Sequence, residues 1–161
     1  MAARGWSFGV FIALLVVLHL TLRLAFGLGP NTPDLLTIAA LLSARRLSGA
    51  QAAAVGLALG VLADALTVVG FGAAVVSLTV VCFLGARSRD LFEGDSLLFI
   101  AVYVFIGKWL RDAGVFLLAP AVRGADPVRD LFIAMPLAAA VTAAAGLIAV
   151  ALYRAATGER G

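Results

Sequence analysis

The chain has 161 residues, 63% of them hydrophobic and only 13% charged, with a mean hydropathy of +1.11. A soluble domain averages nearer half apolar and a quarter charged, so the composition excludes an ordinary water-soluble domain and points to an integral membrane protein. The net charge of +3 does not imply a nucleic-acid partner, because the basic residues are scattered at the ends of apolar runs, with no basic stripe and no interleaved aromatics.

Six apolar segments follow one another at about 6–26, 33–46, 49–67, 71–87, 97–118 and 131–153, judged against the roughly 20 residues a helix needs to cross hydrocarbon. The expected fold class is therefore an all-α polytopic membrane protein with six transmembrane helices in one domain. The first segment is long for a cleaved signal region, carries His19 and Arg23, and runs into Gly29-Pro30 without a cleavage pattern, so it reads as a retained span. The second is short and opens at Pro33-Asp34. Asn31 or Thr32 is expected to cap it, with Pro33 in its first turn. Such a segment crosses at a thin point, starts in the interface, or is completed by backbone packed on protein.

The third segment holds Gly56, Gly60 and Asp64 at four-residue spacing, one stripe of an α-helix leading to an acid. Gly56 and Gly60 form a GxxxG surface, suited to close helix packing inside the molecule or against another protein's helix. Val69-Gly70-Phe71-Gly72 makes a tight link to the fourth segment, whose Cys82 reads as a small buried hydrophobe. A single cysteine leaves no internal disulfide and no multi-cysteine metal motif. The polar stretch from Arg87 to Ser96 precedes the fifth segment, which Pro120 stops. A connector containing Pro127 leads to the alanine-rich sixth.

Positive residues in short loops set the orientation. With the amino terminus in the cytoplasm, Arg4, Arg45, Arg46, Arg87, Arg89, Arg154 and Arg160 lie inside, and only Arg123 and Arg129 lie in outside loops. Both termini are then cytoplasmic. At about 1.5 Å of rise per residue, Arg23, Asp34, Asp64, Lys108, Arg111 and Asp112 all fall in the outer half of the membrane, and their charges sum to zero. Lys108, Arg111 and Asp112 share one helix face. Lys108 is also the only lysine beside eleven arginines. Two uses are open for this set: an ion-pair network that fixes helix register, or a polar site for a partner helix, a small solute or a proton. Asp64 is expected to pair with Lys108 or Arg111. His19 reads as a packing residue, since no second His or Cys accompanies it as a metal ligand.

No GxSxG, Walker P-loop, HExxH or dinucleotide fingerprint occurs, so no enzyme activity, metal or cofactor is expected. An inverted-repeat transporter would need more chain or an oligomer.

Pro33-Asp34-Leu35-Leu36, the basic turn at Arg45-Arg46, and Gly56-x-x-x-Gly60-x-x-x-Asp64 followed by Gly72 together resemble the bacterial rod shape-determining MreD family. Length and hydropathy fit the same family. The resemblance implies a non-enzymatic scaffold of the cell-elongation machinery in the cytoplasmic membrane. Its direct partner would be MreC, with MreB, RodA and a penicillin-binding transpeptidase in the wider complex. It also implies a fold similar to the substrate-binding subunit of energy-coupling-factor transporters. Thr67-Val68-Val69-Gly70 stands where the family often has a Ser/Gly turn, and the family assigns no role to Lys108, Arg111 and Asp112. A small-solute-binding subunit of a transporter is the competing function.

Overall fold

The computed structural model describes residues 2–26, 32–67, 70–88, 96–122, 124 and 126–158, with the backbone alone at 2–4, 26 and 122. Residues 27–31, 68–69, 89–95, Arg123 and Arg160, which entered the sequence reading, lie outside that set. The described secondary structure is entirely helical. Its six helices are α1 (Ala2–Phe26), α2 (Leu35–Ala44), α3 (Gly49–Ala65), α4 (Ala73–Ser88), α5 (Leu97–Leu118) and α6, which runs continuously over Pro127–Thr157.

Local chemistry sets most of the helix starts. Ser48 and Gln51 form a reciprocal capping box at α3, and the Ser96 hydroxyl accepts from Phe99 N at α5. At α2 the cap is Asp34, whose carboxylate accepts from Thr37 N at 3.0 Å. This corrects the expected cap at Asn31 or Thr32 and places Pro33 before the helix. The acid wins because a carboxylate accepts more strongly than a hydroxyl or amide and complements the positive end of the helix.

The start of α6 also differs from expectation. Asp126 caps it and Pro127 occupies its first turn, so residues read as a polar connector are already helical. The helix then passes through a π segment at Asp130–Ala134 before resuming regular α geometry. Within that segment the Leu131 carbonyl accepts from the Trp109 indole of α5 at 3.3 Å, an outside partner of the kind that accompanies a widened turn. The α5 bounds match the expected segment, because Ser96 and Pro120 flank it.

The short α2 is the central strut. All ten of its residues are buried, and it packs against α1, α3, α4, α5 and α6. The other five surround it in the spatial order α3, α4, α5, α6, α1. Leu36, Ile38 and Leu41 of α2 form the middle of the core with Leu78 of α4 and Val104 of α5.

The α3–α4 pair is the tightest in the molecule, for a reason visible at its two glycines. A Cβ at Gly56 would stand 2.6 Å from Leu78 O, and one at Gly60 would stand 2.5 Å from Val75 Cα. The GxxxG surface therefore packs internally, backbone against backbone. The two ends of α1 and α6 are joined by Phe11 and Tyr153, whose rings lie 4.7 Å apart.

Candidate functional site: a buried charge cluster

At one end of the bundle, α1, α2, α5 and α6 converge on Asp34, Lys108, Arg111 and Asp112. Lys108 and Asp112 are one turn apart on α5, so their side chains meet along the helix surface. Lys108 Nζ donates to both Asp112 oxygens, at 2.6 and 2.7 Å. Arg111 Nη1 donates to Asp112 Oδ1 at 2.9 Å. Across the interface, Asp34 Oδ2 lies 3.4 Å from Lys108 Nζ and 3.6 Å from Arg111 Nη1. Two carboxylates thus share two cations, and the group is neutral.

Polar neighbours complete it. The Thr37 hydroxyl donates to Asp34 Oδ2 at 2.8 Å, and the Asp34 backbone N–H donates to Thr142 Oγ1 of α6 at 3.3 Å. From α1, His19 Nδ1 approaches Asp34 Oδ1 to 3.9 Å. His19 and Lys108 are each only 7% exposed. Burial at this level removes most water screening, so each charge depends on its protein partners. Among the described residues, Arg111 Nε is a buried donor in the cluster that has no acceptor.

Asp64 is not part of this cluster. Its carboxylate accepts from the backbone N–H groups of Gly72, Ala74 and Val75 at 2.8, 3.2 and 3.1 Å. It is therefore a cap supplied by α3 to the amino terminus of α4, where unpaired N–H groups and the helix dipole favour an anion. The expected pairing with Lys108 or Arg111 is replaced by these three bonds. Gly72 meets the requirement with φ of +95°, a conformation that aims its N–H at the acid and that a side chain would strain. At 2% exposure Asp64 is more deeply buried than His19 or Lys108 of the cluster.

Arg23 stands in the last turn of α1, one turn beyond His19, and is not within ion-pair distance of the clustered carboxylates. Of the six charged residues grouped by the sequence, the structure brings four together, assigns Asp64 to a helix cap and leaves Arg23 beside them. It adds His19, Thr37 and Thr142. Nothing local marks Thr142, 108 residues from Asp34. Thr37, by contrast, was legible as the residue three positions after an acid that precedes an apolar run.

Chemically, the cluster is a set of satisfied ion pairs with one orphan donor. Its hydroxyls, on Thr37 and Thr142, are both hydrogen-bonded to Asp34. Among the described residues no three His, Cys, Asp or Glu side chains are gathered to hold a metal ion. Comparison with protein-family models, curated proteins and solved structures finds no match for this chain.

Proposed function

We propose that this chain is a membrane-embedded, non-enzymatic helical scaffold. The observation that carries the reading is an inverted distribution of polarity. Large apolar side chains face outward on every helix except the buried α2, among them Leu14, Leu57, Val80, Leu98, Phe132 and Ile148, while the charges Asp34, Asp64, Lys108, Arg111 and Asp112 are turned inward. A soluble fold does the reverse, and apolar surface of that extent needs lipid or partner helices. The helices over Gly5–Ala25 and Pro127–Thr157 are long and apolar enough to cross a membrane. The multi-pass arrangement with both termini in the cytoplasm rests on the distribution of arginines.

The more specific reading is a scaffold of the bacterial elongation complex that binds MreC, and through it works with MreB, RodA and a penicillin-binding transpeptidase in building the lateral wall. Its support is the family-like pattern, whose acids and glycines serve architecture in this fold. Asp34 caps α2, Gly56 and Gly60 admit the α4 backbone, and Asp64 caps α4. A chain whose patterned acids and glycines build shape is suited to holding partners in place. Co-purification from membranes containing both this protein and MreC tests the proposal. A stable pair is expected, and a consistent failure to associate overturns the MreC assignment.

The orphan Arg111 Nε keeps the second reading, a solute-binding subunit with a fold like that of energy-coupling-factor transporters, in play, since an anionic solute could complete it. Mass spectrometry of the purified protein, with a metabolite retained by the native chain and lost in Arg111→Met, would favour that reading.

A further inference from the structure

The α3–α4 hairpin is shorter than the bilayer that the longer helices fit. At about 1.5 Å of rise per residue, the seventeen residues of α3 reach about 25 Å and the sixteen of α4 about 24 Å, whereas the twenty-two of α5 reach about 33 Å. A hydrocarbon core is about 30 Å thick, and any tilt of the hairpin lowers its height further. Its open end is held at one boundary by polar groups, since Arg46 and Arg87 are exposed there and Ser48 and Gln51 cap α3. The turn at the other end therefore stops about 5 Å short of the opposite boundary.

The chemistry beside that turn fits such a depth. From Ala65 to Ala86 the chain carries no charged residue, and Phe71 is 76% exposed. The start of α6 shows the contrast, with Asp126, Arg129 and Asp130 within five residues.

A helix that begins in hydrocarbon must find acceptors for its N–H groups inside the protein, because no water reaches them. The start of α4 does so at every position from Gly72 to Val76. Asp64 accepts from Gly72, Ala74 and Val75, while Gly70 O accepts from Ala73 N and Gly72 O from Val76 N, each at 3.1 Å. At α3 and α5 a serine hydroxyl takes a single first-turn N–H, that of Gln51 and of Phe99. The buried Asp64 carboxylate is what lets α4 begin without water.

We infer that the α3–α4 turn ends inside the leaflet opposite Arg46 and Arg87, with lipid acyl chains covering Phe71 and the first turn of α4. The inference rests on the membrane-embedded part of the proposed function and is independent of MreC. To test it, a nitroxide is attached at Phe71→Cys in the full-length chain carrying Cys82→Ala, reconstituted into phosphatidylcholine vesicles. Collisions with oxygen, which concentrates in hydrocarbon, and with a water-soluble nickel chelate report its depth. Flotation of the same vesicles reports membrane insertion separately.

The Phe71 label is expected about 5 Å inside the boundary, with oxygen contact dominant. A label at Val128→Cys, in the first turn of α6, should meet the nickel chelate. A further label at Val76→Cys, 50% exposed and more than one turn along α4, should lie deeper than that at Phe71. Longer acyl chains that thicken the core by about 5 Å should deepen the Phe71 label by about as much. Nickel contact at Phe71 equal to that at Val128 overturns the inference, since water then covers the turn. A Phe71 label shielded from both reagents overturns it in favour of a covering protein chain. A depth that ignores chain length, or a Val76 label no deeper than Phe71, overturns it as well. Loss of flotation in the native chain would instead overturn the membrane reading itself.

Discussion

At the scale of single residues, two buried acids do different work. Asp64 is held by three backbone N–H groups, so Asp64→Ala should strand buried donors and lower stability by on the order of 3 kcal/mol. Asp64→Asn, which keeps an acceptor oxygen, should lose less. Thermal unfolding in detergent checks both. Asp34 behaves otherwise. Lys108→Met leaves Asp34 and Asp112 competing for one remaining cation, whereas Lys108→Met with Asp112→Leu removes a charge of each sign. The double variant should therefore be more stable than the sum of the single losses, and strict additivity would contradict the pairing. The sequence showed that these charges balance and share a level, but the partner of Asp64 escaped it. The search was for a cation, and a backbone donor eight residues downstream carries no formal charge. His19 and Thr142 were hidden for another reason, since only helix neighbours in space bring them to Asp34.

At the scale of helices, the glycines divide into those that receive a neighbour and those that do not. Gly60→Leu would drive its side chain into the α4 backbone at Val75, and loss of folded protein after detergent extraction is expected. Gly9 faces open space, so Gly9→Ala should be neutral or stabilising by up to about 1 kcal/mol through helix propensity. If both changes behave alike, the α3–α4 contact does not hold the bundle together. Helix existence was largely readable from apolar runs, and α5 was readable to its ends because Ser96 and Pro120 bracket it. The start of α6 was not. Asp126, Pro127, Arg129 and Asp130 look like loop chemistry, while in the fold the first two are a cap and a first-turn proline. A π segment leaves no mark in composition, because its cause, the Trp109 indole on Leu131 O, lies on another helix.

At the scale of the whole molecule, the single cysteine offers a simple probe. Cys82 is fully buried against the core where α3 meets α4, so a membrane-permeant maleimide should leave it unlabelled until the protein is denatured. Rapid labelling of the native chain would contradict the packing of α4. On the proposed membrane-embedded reading, the overall arrangement also bears on how the chain inserts. At about 1.5 Å per residue, α2 spans some 15 Å, half of a typical hydrocarbon core of about 30 Å, and every one of its residues is covered by other helices. A nascent chain that has emerged only as far as Ser48 has no α3, α4 or α5 to cover it. Such a fragment should leave its carboxy-terminal reporter on the far side of the membrane, because α1 crosses alone. With the later helices present, the same Arg45-Arg46 turn should return to the side on which the amino terminus lies. The core helix of this protein would then reach its final depth only after helices that follow it in the chain, and insertion would include a rearrangement that those later helices trigger.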